Sequence, residues 1–140
     1  MPDHSYRVLV CGGRDYRNGI RVGYELDLFN RGARGPITQI IHGGATGADA
    51  FGKDWAHQNH VPVRCFRAQW HSYGKAAGVL RNQKMLDEGK PHLVLAFPGR
   101  RGTADMVRRA ERASIEVFRA LWPDAKLWPG SVRASGDNHD

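Results

Sequence analysis

The chain has 140 residues, 41% of them hydrophobic and 25% charged, with a formal net charge of +7. That length suits one domain, and the apolar content is enough for a packed core, which excludes wholesale disorder. No stretch reaches the ~18 apolar residues of a membrane span, and the N-terminus lacks a basic-then-apolar leader pattern, so a cytoplasmic location is expected. The two cysteines, Cys11 and Cys65, are too few for a disulfide framework and lack the paired spacing of a zinc site. Both fall in apolar runs and read as buried free thiols.

The first element is the run R-V-L-V-C at 7–11, a buried strand that ends in Gly12-Gly13. A helix follows over about 18–30, with Val22, Leu26 and Phe29 on one face and Gly32, Gly35 and Pro36 after its end. I-T-Q-I-I-H at 37–42 is a second strand, closed by Gly43-Gly44. A second helix is predicted over 47–59, with Ala48, Phe51 and Trp55 sharing a face. A third strand spans 61–66, a loop spans 67–73, and a third helix spans 74–88 with Gly89 and Pro91 as stop signals. H-L-V-L-A-F at 92–97 is the fourth strand, and a fourth helix runs over 104–113. Residues 115–120 fit either a short fifth strand or a continuation of that helix. From 121 to 140 the Pro, Gly, Ser and charged residues predict a loosely ordered tail, with Trp122 and Trp128 as candidates for docking on the body.

Strands and helices alternate, and the strands are continuous apolar runs. That pattern predicts one α/β domain over 1–120: a mainly parallel sheet of about five strands with helices on both faces, a doubly wound, Rossmann-like sandwich. In a parallel sheet the strand carboxyl ends share one edge, so three glycine-rich turns are expected to converge there. They are Gly12-Gly13-Arg14-Asp15, Gly43-Gly44-Ala45-Thr46-Gly47-Ala48-Asp49, and Pro98-Gly99-Arg100-Arg101-Gly102-Thr103. Such turns let a ligand approach the backbone, and the helix that follows offers amide groups and a positive dipole end to phosphate. Neither the Walker A pattern nor G-x-G-x-x-G fits, which disfavours magnesium-assisted phosphoryl transfer. No metal site is expected, and no cofactor is required.

The segments G-G-R-D-Y (12–16), I-H-G-G-A-T-G-A-D (41–49), W-H-S-Y-G-K-A-A-G-V-L-R-N-Q-K-M (70–85) and F-P-G-R-R-G-T-A-D-M (97–106) carry a family resemblance. The chain resembles the YspA-like, cpYpsA-related branch of the SLOG superfamily, which includes the Lonely Guy phosphoribohydrolases and the DNA-processing protein DprA. The resemblance covers about residues 7–120. It implies a Rossmann-like domain that binds nucleotides or nucleotide derivatives, often as a dimer. Such a domain acts as a ligand sensor or a ligand-processing enzyme. Lonely Guy enzymes carry P-G-G-x-G-T-x-x-E, and here Pro98, Gly99, Gly102 and Thr103 match. Arg100 stands at the second glycine, and Met106 stands at the glutamate with Asp105 beside it. Of the upstream R-K-x-x-M, Arg81 and Met85 are present and Asn82 replaces the lysine. Methionine is neither an acid nor a base, so N-glycosidic hydrolysis is not carried over with the fold.

The candidate ligand-binding residues are therefore Gly12, Gly13, Arg14, Asp15, Gly43, Gly44, Thr46, Gly47, Asp49, Arg81, Asn82, Pro98, Gly99, Gly102 and Thr103. Arg14 suits a phosphate or carboxylate clamp, and Asp15 suits ribose or a cation. Should the ligand be turned over, Arg81, Asp49 and Asp15 are the catalytic candidates. Thr46 and Asp49 also fit a capping box for the second helix, and Thr103 fits a cap for the fourth. Trp70 and Tyr73 suit either base stacking or buried packing. His42, and less directly His71, suits acid–base chemistry near neutrality, or in His42's case a satisfied place in the core. The leading expectation is a nucleotide-derivative binding domain, with ADP-ribose, NAD-related compounds or a nucleoside monophosphate as ligand classes, working as a homo-oligomer. The alternatives are single-stranded nucleic-acid binding of the DprA kind, which the positive charge favours, a phosphoribohydrolase-type N-glycosidic hydrolase, and a structural role with the glycine loops as plain turns.

Overall fold

Valine, leucine and cysteine in continuous runs suit strands covered on both sides. In the computed structural model, which describes residues 4–120, such runs form the centre of the sheet. The elements are β1 (Arg7–Cys11), α1 (Gly19–Arg31), β2 (Gln39–His42), α2 (Ala48–Gln58), β3 (Val63–Cys65), α3 (Trp70–Tyr73), α4 (Ala77–Gly89), β4 (Leu93–Ala96), α5 (Arg101–Arg112) and β5 (Glu116–Arg119). A 3-10 turn, Gly74–Ala76, joins α3 to α4. The five strands form one sheet in the order β3-β2-β1-β4-β5, and every pairing is parallel. This is the expected Rossmann-like α/β fold.

Alternate residues of each strand serve opposite layers. Val8, Val10, Ile40, Leu93 and Leu95 pack with Val22 and Leu26 of α1 and Trp55 of α2. Leu9, Cys11, Ile41, Val94 and Ala96 pack with Met85 and Leu86 of α4 and Met106 and Val107 of α5. The chain runs from β1 outward through β2 to β3, then crosses back past β1 to β4 and β5. The loops leaving β1 and β4 therefore part in opposite directions, and a crevice opens between them at the carboxyl edge.

Three expectations need correction, and one open alternative is settled. Residues 67–73 are not all loop, because Trp70–Tyr73 closes one helical turn. None of its residues is buried, so it leaves no apolar periodicity to read. The fourth helix begins at Arg101, inside the glycine turn. Cys65 is exposed, and only Cys11 is a buried thiol, because β3 is an edge strand. Residues 115–120 resolve as strand: Ser114 takes a positive φ of 60° after α5, and β5 then pairs with β4 from Leu93↔Glu116 to Ala96↔Arg119. The expected tail at 121–140, with Trp122 and Trp128, lies outside the described residues. Among the described residues no helix is long and apolar enough to cross a membrane.

Candidate functional site

The crevice is a cleft of about 440 Å³. Gly12, Gly13, Arg14 and Asp15 line it from the β1 loop, Ala45 and Asp49 from the β2 loop and α2, and Arg81 and Asn82 from α4. Arg100, Gly102 and Thr103 line it from the β4 loop and α5. The nearly buried Cys11, Met85 and Met106 complete it. Sequence reasoning named nine of these fourteen residues and missed Cys11, Ala45, Met85, Arg100 and Met106. Arg100 carried a readable signal, since a charged residue inside a glycine turn at the ligand edge is itself a candidate. Cys11, Met85 and Met106 look like any core residue.

The other expected site residues brace the cleft instead of lining it. Gly43 donates its N–H to Asp49 Oδ2 at 2.8 Å and its carbonyl accepts from Arg81 Nη1 at 2.6 Å. Gly44 N–H donates to His42 Nδ1 at 3.0 Å. Thr46 Oγ1 donates to the carbonyl of Arg14 at 2.8 Å, so it ties the β2 loop to the β1 loop. Gly47 has a φ of 74°, and a Cβ there would run into the carbonyl of Gly13. The carbonyl of Pro98 accepts from Gly13 N–H at 2.9 Å. A Cβ on Gly99 would collide with Thr103 Oγ1 and meet Gly13 N at 2.7 Å, so only glycine fits where the β1 and β4 loops touch.

The capping expectations do not hold. The N-cap of α2 is Gly47, with no side-chain cap. Asp49 accepts instead from the amides of Gly43 and Ala45, at 2.8 and 3.4 Å, and so organises the β2 loop. The N-cap of α5 is Arg100, and no side chain caps that helix either. Thr103 lies within the helix, 5% exposed.

A chain of hydrogen bonds fixes the far wall. Arg81 Nε donates to Asn82 Oδ1 at 3.1 Å. Asn82 Nδ2 donates to the Gly102 carbonyl at 3.1 Å and to Asp105 Oδ2 at 3.0 Å. Asp105 also accepts from Arg109 Nε at 2.8 Å. Asp105 is thus held by Asn82 and Arg109 and does not line the cleft, whereas Met106 does.

Burial shifts the ionisable groups here. Desolvation pushes the Asp49 carboxyl up to about 6, against the opposing pull of the Gly43 and Ala45 amides and of Arg81. Burial raises the Cys11 thiol well above its ordinary range. It lowers the Arg81 guanidinium, with Asp49 opposing the shift. His42 is driven down to about 4 by burial and then by the positive charge of Lys53 and Arg67. It does not titrate near neutrality and does not line the cleft. With Nδ1 accepting from Gly44, the proton of the neutral ring sits on Nε2, a buried atom without a hydrogen-bond partner. His42 is therefore a core histidine only partly satisfied. Trp70 and Tyr73 are 52% and 54% exposed, which rules out buried packing for both, and His71 is exposed beside them.

Three comparisons bear on this arrangement. A search of curated proteins finds the Gene 61 protein of Mycobacterium phage D29, 39% identical over 120 residues, which cover 80% of this chain and 94% of that protein. Among solved structures, DNA processing protein A (DprA) from Streptococcus pneumoniae superposes with a TM-score of 0.68 at 17% identity, over 86% of this chain. That overlap is 53% of the DprA chain, so this chain spans about half its length, and the likeness is one of fold. The family described as YspA, cpYpsA-related SLOG matches residues 6–73, which hold the β1 and β2 loops. The chain belongs to the YspA, cpYpsA-related SLOG family.

Proposed function

We propose that the cleft binds a nucleotide or nucleotide-derived small molecule, with its phosphate at the N-terminus of α5. The observation that carries this reading is an uncapped helix start facing a cleft lined by arginines. The first-turn amides of any α-helix lack intrahelical acceptors. In α5 no side chain caps them and no acidic residue occupies the first turn, while Gly102 and Thr103 line the cleft. Arg14, Arg81 and Arg100 add guanidinium groups around the same space. Amides, dipole and guanidinium groups together are a phosphate site. The apolar Cys11, Met85 and Met106 offer a surface for the less polar part of a ligand. Membership of a SLOG family supports a nucleotide-related role.

In a hydrolytic version Asp49, ionising near pH 6, is the group suited to handle a proton, with Arg81 on the phosphate. Met106 supplies no such chemistry. A second reading, single-stranded nucleic acid, has one observation in its favour. Trp70 and Tyr73 stand exposed in a stretch, 55–86, that contains no aspartate or glutamate.

Thermal unfolding with AMP, ADP-ribose and NAD, on wild type and Arg14→Ala, tests the leading reading. Arg14 is exposed at the rim, so its removal leaves the core intact. A ligand at about one hundred times its Kd stabilises the fold by about 2.7 kcal/mol, and Arg14→Ala should shrink that shift. Release of free base in the same samples reports turnover. No shift with any nucleotide, beside a clear shift with single-stranded DNA, would replace the reading with the second one.

A further inference from the structure

Arg100 and Asp15 face each other across the mouth of the cleft. Arg100 Nη2 lies 3.5 Å from Asp15 Oδ2. The pair thus links the β4 loop at the start of α5 to the β1 loop, and both residues line the cleft. As a structural tie it is redundant. The same two loops are already joined by the Gly13 amide to the Pro98 carbonyl. The side chains of Arg100 and Asp15 are 70% and 66% exposed, and exposed pairs of this kind contribute little to stability. A backbone hydrogen bond joins the loops and both side chains are exposed, which is the condition for an exchange of partners without a change of fold.

We propose that Asp15 is a built-in competitor for the ligand phosphate: it holds Arg100 across the cleft mouth until a phosphate at the N-terminus of α5 takes Arg100 from it. This rests on the phosphate reading of the cleft and gives Asp15 a role other than ribose contact or catalysis. A single carboxylate oxygen at 3.5 Å is a weak partner. A terminal phosphate carries nearly two charges and accepts a guanidinium bidentately. A phosphodiester carries one charge and pulls less. Arg100 therefore goes to a dianionic terminal phosphate, as in a nucleoside monophosphate, whereas a bridging or cyclic diester leaves it largely with Asp15. Arg100 becomes a ligand-binding residue, and Asp15 sets the threshold of charge a ligand needs to displace it.

The test measures Kd for AMP and for cyclic AMP by calorimetry on wild type, Asp15→Asn, Arg100→Gln and the double variant, at one low salt concentration. Unchanged melting temperatures without ligand confirm that each variant folds. The expected result is that Asp15→Asn tightens AMP about threefold and cyclic AMP by less, which widens the advantage of AMP. Arg100→Gln should weaken AMP by a similar factor, and Asp15→Asn should have no effect once Arg100 is gone. If Asp15→Asn weakens AMP, Asp15 is a ligand group and the proposal is wrong. If it tightens AMP equally in the Arg100→Gln background, Asp15 merely repels phosphate and the exchange is wrong. If neither wild type nor Asp15→Asn binds any phosphate-bearing nucleotide, the phosphate reading of the cleft has itself failed.

Discussion

Asp49 and His42 stand on either side of the β2 loop and titrate in opposed directions. The Asp49 carboxyl is raised from 3.8 to about 6. Between about pH 4 and 6 the folded state therefore keeps a proton that the unfolded state has released, and stability falls as pH rises through that window. His42 is lowered from 6.5 to about 4. The unfolded state binds a proton there that the folded state refuses, so stability falls as pH drops from 6.5 to 4. Each shift corresponds to roughly 3 kcal/mol across its window, and in wild type the two slopes nearly cancel. Denaturant unfolding between pH 4 and 7 should separate them. Relative to wild type, Asp49→Asn should gain roughly 3 kcal/mol as pH rises from 4 to 6, and His42→Gln should lose about as much. Curves that stay parallel to wild type would mean that neither group is shifted. The sequence placed both residues at the ligand edge but not their chemistry. Thr46 and Asp49 have the spacing of a capping box, and what overrides that local pattern is tertiary: the Arg14 carbonyl for Thr46 and the Gly43 amide for Asp49.

Two glycines at the starts of α2 and α5 look alike in sequence and should respond oppositely to alanine. Gly47 has a positive φ, and an added Cβ would meet the carbonyl of Gly13 and come within 2.7 Å of the Arg14 carbonyl carbon. Gly47→Ala should cost about 3 kcal/mol through strain and collision. Gly102 lies in the first turn of α5, where a Cβ meets nothing within 4 Å. Gly102→Ala should stabilise by up to about 1 kcal/mol through helix propensity. Because Gly102 lines the cleft, the same change should weaken nucleotide binding. Calorimetric melting together with nucleotide titration checks both, and a destabilised Gly102→Ala would contradict the open geometry at the start of α5. At this scale the strands were the most legible elements, because β1 and β4 are runs of apolar residues with no polar interruption. β5 was ambiguous for a physical reason. It is an edge strand with alternating exposure, and only its pairing with β4 and the Phe29–Phe118 contact, with ring centroids 5.3 Å apart, distinguish it from a helical turn. The start of α5 was hidden because Arg101-Gly102-Thr103 reads as turn chemistry, yet those residues already carry helical backbone.

The net charge of +7 acts on the whole molecule and attracts any polyphosphate, so attraction alone does not identify the partner. Salt does. A mononucleotide in the cleft neutralises one phosphate group, whereas a single strand lying across the basic stretch 55–86, with Arg64, Arg67, Lys75, Arg81 and Lys84, would neutralise several. For single strands the logarithm of affinity falls with the logarithm of salt at about −0.7 per phosphate. Five phosphates therefore imply a loss of about a hundredfold between 50 and 200 mM salt. For AMP we expect a loss of less than about fivefold over the same range, since one phosphate group contributes little counterion release. Calorimetry with AMP and fluorescence anisotropy with a labelled deoxythymidine dodecamer, both on wild type, give the two slopes. A shallow slope for AMP with micromolar affinity at 200 mM salt, beside a dodecamer that dissociates there, is the signature of a nucleotide pocket on a basic but unspecific surface. A dodecamer that stays bound at 200 mM, is displaced by AMP and loses affinity in Trp70→Ala would put one strand in the cleft and across α3. The uncapped start of α5 would then hold one phosphate of a polymer.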